Sequence, residues 1–507
     1  MKLAKKTGIV ALAVATLIGG LAYVAPQQQE LVAKELSTSL DAEEVTAPKY
    51  IFMFVGDGLA YTQVNAAQVY RGTAKYKDTV EVDPLAFAQF PTVGTVYTQD
   101  ATSFAPDSAS TITALTGGVQ THSGVVGMDI DKVTPTYTIA ERLRDEGYKI
   151  GVLSSVTLNH ATPAGYYAHQ ASRNNYYDIA LELGASNFDY FAGGALSGSE
   201  TGDGTQQNIY EVLEEEYGYT ILRDKEDILA LDNTAEKVYA INPELHGGAM
   251  LYSIDMNEDS ITLADLVQKG IDVLDNDENG FFMSVESGKI DWAGHANDAM
   301  ANIGDTIAFD DAVQVAIDFY NEHPDETLII VTGDHETGGM TIGQTTTGYD
   351  TAFQLLSNQK VSYEKFDNII TEFKEENPNG EFTDMLPIIE EYFGLVAADN
   401  ATSSTDELLI LSDYEYKKLE EAFAETMKAK ADRNDDIEAL IAYGGYEPLS
   451  VTLTHVLNNK AGVGWTSYYH TGQPVPLYAI GAGHEIFSGS YNNTEVYHKL
   501  VELCGLE

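Results

Sequence analysis

The sequence predicts an α/β fold, with a central, largely parallel sheet and helices on both faces. Two observations carry this. Strand-like runs recur at 50–55, 149–155, 188–191, 281–286, 327–332 and 476–480, and helix-like stretches alternate with them. The run at 327–332 is β-branched and apolar at consecutive positions, as a strand buried on both faces requires.

The helical stretches lie at 107–115, 137–146, 175–183 and 298–322, with a long acidic one at 414–442. With 507 residues, 44% of them hydrophobic, the chain has ample material for a large core. One folded domain is expected over 49–507, interrupted by insertions at about 198–258 and 341–460, the second acidic and helical.

At the N-terminus, Lys2, Lys5 and Lys6 precede an apolar run over 8–24, with the small residues Gly20 and Ala22 placed for cleavage. Residues 1–25 therefore read as a secretory signal peptide, and 26–48 as a flexible polar leader. The competing reading of the run is an uncleaved single-span anchor. With cleavage, the expectation is a secreted protein, periplasmic or extracellular, with no stable membrane insertion.

Lys and Arg total 28 against 78 Asp and Glu, a formal charge of −50, which argues against a nucleic-acid partner and against docking on anionic lipid. Any chemistry on an anionic substrate then needs strong local positive charge. The single cysteine, Cys504, allows neither an internal disulfide nor a thiolate metal cage, so a metal would have to use Asp, Glu, His, Ser and Thr.

Two segments have that character. In Glu286-Ser-Gly-Lys-Ile-Asp291-Trp-Ala-Gly-His295, Asp291 and His295 are four residues apart and project from one helical face. In Thr332-Gly-Asp334-His335-Glu-Thr-Gly, the Asp-His pair sits just past a strand, at the edge where ligands gather in parallel sheets. Asp57, between Gly56 and Gly58, follows the first strand in the same way. Ser108, in Pro106-Asp107-Ser108-Ala109, falls at a helix N-terminus, where backbone N–H groups and the helix dipole favour a phosphate. Asn159-His160-Ala-Thr162-Pro follows the 149–155 strand, Arg173 comes shortly after, and His470 precedes the last strand.

Singly, each of these is also read as a turn, a cap or a packed side chain. As an ordered set they resemble the metal-dependent alkaline phosphatases. Those proteins carry D-G, D-S-A, A-T-P-A, S-R, E-x-x-x-I-D-x-x-x-H, D-H-E-T-G and H-T-G in that order, as this chain does from about 50 to 483.

The resemblance implies hydrolysis of small phosphate monoesters at a site with two Zn²⁺ and one Mg²⁺, and a homodimer is common among such proteins. It implies Ser108 as nucleophile and Arg173 as the phosphate clamp. Asp291, His295 and His470 would form the first zinc site, and Asp57, Asp334 and His335 the second, whose ion also contacts Ser108. Asp57, Thr162 and Glu286 would form the magnesium site, with His160 beside it. His160 and Trp292 stand where family members vary, some having Asp and Lys.

Overall fold

The structure, a computed structural model, describes residues 47–506 apart from 78, 199–205 and 276–277. The expected signal peptide, and residues 26–46 of the expected leader, lie outside the described residues. No described helix is long and apolar enough to cross a membrane.

Strand β1 (Tyr50–Gly56) shows how the sequence builds the centre of the molecule. Its side chains alternate between two faces, and both faces are buried. Tyr50, Phe52 and Phe54 enter one core with Phe309, Ala312 and Val313 of a long helix. Ile51, Met53 and Val55 enter a second core with Ile112, Leu115, Ile139 and Leu183. A sheet sandwiched between two helical layers follows.

The other strands of the main sheet are β2 (Thr92–Tyr97), β3 (Lys149–Ser154), β4 (Tyr190–Gly193), β5 (Thr220–Leu222), β6 (Val238–Ile241), β7 (Phe281–Ser287), β8 (Thr327–Gly333), β9 (Val475–Gly481) and β10 (Gly489–Asn492). Their order across the sheet is β10-β2-β9-β8-β1-β7-β3-β4-β6-β5. Only β9 runs against its neighbours, pairing antiparallel with both β8 and β2. The rest is parallel, in keeping with the predicted fold class.

Register brings the ends of the central strands level. Gly56 of β1 pairs with Gly333 of β8 on one side and Ser287 of β7 on the other, while Ser154 of β3 pairs with Glu286. The chain therefore leaves all four strands at one carboxyl edge, the ligand-binding edge of an open parallel sheet.

Three local readings change. The strand expected at 188–191 begins two residues later, because the Asp189 carboxylate is taken up by the Lys149 ammonium (2.9 Å) and the Ile150 N–H (2.9 Å). The stretch 198–258 supplies β5 and β6 to the sheet edge, parallel to each other and to β4. The acidic stretch 414–442 is two helices, Asp413–Met427 and Ile437–Tyr443. Between them Arg433 turns to pair with Glu447 at 2.8 Å, and Asp436 caps the second helix through the Ala439 N–H.

Residues 341–460 are mostly helical and share the first core: Phe353, Phe366, Phe382 and Leu453 cluster with Phe54 and Leu59. One buried ion pair joins this region to the sheet layer. Lys289 is fully buried, its Nζ lies 2.9 Å from Glu364 Oε2, and it sits 3.8 Å from the centroid of the Tyr252 ring. His246 Nδ1 reaches the same carboxylate oxygen at 3.2 Å.

Candidate active site

Helix α1 (Ser108–Gly117) begins where the resemblance placed the nucleophile. Asp107 is its N-cap, Oδ1 accepting from the Ser110 N–H at 3.1 Å and the Gly124 N–H at 2.9 Å. Ser108 is thereby held in the first turn, buried, with Oγ 3.1 Å from His335 Nε2. The other Asp107 oxygen takes Arg173 Nη1 at 3.0 Å, and Arg173 Nη2 lies 3.1 Å from His160 Nε2. Burial opposes charge on both, but the pairing keeps the Arg173 pKa raised and the Asp107 pKa lowered.

Helix α2 (Lys289–His295) carries Asp291 and His295 one turn apart. His295 Nε2 lies 3.4 Å from Asp291 Oδ2, and His470 Nε2 lies 3.5 Å from Oδ1. The outer nitrogens fix the tautomers, since Nδ1 of His295 donates to the Tyr468 carbonyl (2.6 Å) and Nδ1 of His470 to the Pro106 carbonyl (2.5 Å). Both Nε2 atoms then present lone pairs to each other at 3.1 Å. A cation placed between them would resolve that contact.

His335 follows the same logic. Thr337 Oγ1 donates to Asp291 Oδ1 and accepts from His335 Nδ1 at 3.3 Å, leaving the Nε2 lone pair of His335 facing inward. That Nε2 is 3.3 Å from Asp57 Oδ1 and 3.3 Å from Asp334 Oδ2. The Asp334 carboxylate also accepts from the Gly58 N–H (3.1 Å) and from Thr111 Oγ1 (3.2 Å). Gly58 has φ +74°, and a Cβ there would meet the Asp291 backbone at 2.9 Å, so only glycine lets these two segments approach.

Three groups of potential ligands result: Asp291 with His295 and His470, Asp57 with Asp291 and His335, and Asp57 with His160 and Glu286. Asp334 adjoins the second group through His335, and Thr162 adjoins the third by donating to Asp57 Oδ2 at 3.3 Å. All eleven residues singled out from the sequence are thus brought to one place.

The electrostatics of the protein alone are unfavourable here. Burial, and then the charges of Asp334, Asp291 and Glu286, raise the Asp57 pKa well above the carboxylate range. Burial pushes Glu286 up to about 8, though Ser154 donates to it, and burial with the charge of Asp291 pushes Asp334 up to about 6. Burial holds His160 down at about 3. Asp291, like Asp107, is held low against its burial, here by His295 and His470. Oδ1 of Asp57, Oε1 of Glu286 and Nδ1 of His160 receive no hydrogen bond. Buried, unpartnered carboxylate oxygens beside imidazole lone pairs fit divalent cations, and the all N/O donor set suits zinc and magnesium.

A family model described as Alkaline phosphatase matches residues 48–192 and 183–506. The chain belongs to the alkaline phosphatase family. It is 28% identical to alkaline phosphatase 3 of Bacillus subtilis (strain 168) over 456 residues, 88% of this chain and 87% of that protein. Alkaline phosphatase 4 of the same organism is 27% identical, with 95% and 93% covered. Among solved structures, a cold-active alkaline phosphatase from a psychrophilic Shewanella superposes with a TM-score of 0.72 at 26% identity, over 90% of this chain and 99% of that one. As a member of this metal-dependent family, the protein is a phosphoric monoester hydrolase.

Several residues of the site have no signal in the sequence beyond their chemistry. Asp107 as the holder of Arg173 and Thr337 as the orienter of His335 depend on tertiary contacts. Tyr363, Tyr446 and Tyr469 line the same cavity and come from distant segments.

Proposed function

We propose that this alkaline phosphatase hydrolyses phosphate monoesters through a phosphoserine on Ser108. Two zinc ions would be held by Asp291, His295 and His470, and by Asp57, Asp334 and His335. One magnesium ion would be held by Asp57, Thr162 and Glu286, with His160 alongside. Bound there, the ions would supply positive charge for the phosphoryl oxygens and ease ionisation of oxygens they touch. The observation that carries the reading is Ser108 Oγ, at a helix N-terminus, 3.1 Å from His335 among three ligand clusters.

The chain's own groups have separable roles. Ser108 Oγ, releasing its proton to solvent, attacks phosphorus in line with the ester oxygen; the P–O bond to the alcohol breaks, and the alcohol leaves with a proton from solvent. Water then attacks the phosphoserine, releasing inorganic phosphate and restoring the Ser108 hydroxyl. Arg173 faces the cavity with its guanidinium anchored on Asp107, so its remaining N–H groups are preorganised for equatorial phosphoryl oxygens. The signal-like N-terminus makes export the setting in which we propose the enzyme works.

The test is turnover of a chromogenic monoester and the matching diester at alkaline pH, by protein supplied with zinc and magnesium. Monoester turnover well above diester turnover is expected; a preference for the diester, or no turnover with any metal, would overturn the proposal. In the same assay, Arg173→Ala is expected to lower kcat/KM by about 10²-fold or more, the scale of losing one preorganised donor to transition-state charge. A change under threefold would remove Arg173 from the phosphate clamp.

Thr337→Val keeps shape but removes the hydroxyl that joins Asp291 to His335. Zinc affinity, measured by competition with a chelator, is expected to fall about 10- to 100-fold, as for other residues that orient metal ligands. Unchanged affinity would show that packing alone orients His335.

A further inference from the structure

The cavity that opens onto Ser108 holds about 600 Å³, within the size range of small-molecule sites, about 300–1,000 Å³. Its two ends are unlike. The inner end carries the imidazoles, carboxylates and guanidinium described above, with Trp292 edge-on to His160, while the outer wall carries Tyr363, Tyr446 and Tyr469.

That wall is built by specific contacts. Helix Ile437–Tyr443 stops at Gly444 (φ +63°), followed by Gly445 (φ +88°), so two left-handed residues turn the chain to present Tyr446. Tyr468 Oη secures the turn by donating to the Ala442 carbonyl at 2.6 Å. The Tyr446 ring stands edge-on to Tyr363 with centroids 5.7 Å apart, and Tyr363 in turn stands edge-on to Tyr252 at 5.8 Å. Tyr363 is adjacent in sequence to Glu364, which the buried Lys289 holds. Tyr469, 61% exposed, stands at the rim.

Among the described residues lining the cavity, Arg173 is the one fixed cation, and it belongs to the inner end. A second phosphate or a carboxylate on the alcohol side would find no positive partner on the outer wall and would meet a chain of charge −50. A flat, uncharged ring would find faces and edges to pack against.

We infer that the outer wall selects phosphate monoesters whose alcohol bears a planar aromatic ring, nucleoside 5′-monophosphates included. This rests on the hydrolase reading above. Tyr446 and Tyr469 are the specificity-determining residues, contacting the leaving group and taking no part in bond making.

The experiment compares two substrate pairs, each with matched primary-alcohol leaving groups. One pair is adenosine 5′-monophosphate and methyl ribofuranoside 5-phosphate; the other is 2-phenylethyl phosphate and propyl phosphate. With the zinc- and magnesium-loaded enzyme, kcat/KM is expected to favour the aromatic member of each pair by about tenfold, the scale of one ring stacked on an aromatic side chain. That ratio is expected to fall towards unity in Tyr446→Ala and in Tyr469→Ala, and to persist in Tyr446→Phe. Tyr469 is exposed enough that its alanine variant does not depend on repacking a core. Equal kcat/KM within either pair, or a ratio that survives both alanine substitutions, overturns the inference while leaving the hydrolase reading intact. Hydrolysis of none of the four removes both.

Discussion

Replacing Ser108 by alanine is expected to lower kcat/KM for a phosphate monoester by about four orders of magnitude or more, the scale of removing an enzyme nucleophile that acts as part of a unit. The loss should appear in kcat, because the groups that bind phosphate remain. The fold should tolerate the change: Ser108 sits at the first position of its helix, capped by Asp107 and not by its own hydroxyl. Chromogenic monoester kinetics with circular dichroism as the folding control check this. A variant retaining a tenth of the activity would exclude a phosphoserine on Ser108 and force direct attack by water. Trapping labelled phosphate on the wild-type chain at low pH, and its absence in Ser108→Ala, gives a second readout independent of rate.

Lys289→Met is expected to destabilise the folded chain by about 3–5 kcal/mol, the usual effect of removing one partner of a buried ion pair. Lys289 is fully buried and its partner Glu364 is 19% exposed, so the orphaned carboxylate gains little from water. His246 contacts the same carboxylate and is 44% exposed, a partial replacement that favours the lower end of the range. Urea unfolding at unchanged slope measures the shift. The double variant Lys289→Met, Glu364→Gln should recover part of the loss, because no uncompensated charge is left. A single variant within about 0.5 kcal/mol of wild type would show that the pair makes no net contribution.

The central strands were legible in the sequence because each is apolar at consecutive positions. β1, β7 and β8 are buried along their whole length, and such runs have few alternatives in a chain this size. β2 escaped notice because its burial alternates and Gly94 interrupts it, so it resembles any exposed stretch. β5 and β6 are three and four residues long and fall inside a segment read as an insertion. The antiparallel placing of β9 has no local cause, since it depends on β2 and β8 far along the chain, whereas the break at 428–436 has local ones in the Asp436 cap and in Arg433 turned onto Glu447.

The side chains proposed to hold the metals were legible because their types and spacings are chemically restrictive. The residues that orient them were not. Threonine at 337 and the carbonyls of Pro106 and Tyr468 acquire meaning only when the ring nitrogens point at them. The tyrosine wall is the clearest case, since its members look like ordinary packing until the glycine turn at 444–445 aims one of them at the cavity.

The lone reversed strand has a consequence for how the protein comes into being. β9 fills the gap between β2 and β8, so the sheet stays split until the C-terminal part of the chain arrives. His470, just upstream of it, closes a cluster whose other members were synthesised about 175 residues earlier. Contacts of such long sequence separation form slowly and late. A polypeptide truncated before residue 470 therefore lacks both the strand that joins the two parts of the sheet and the third member of the Asp291–His295 cluster, and is expected to be inactive.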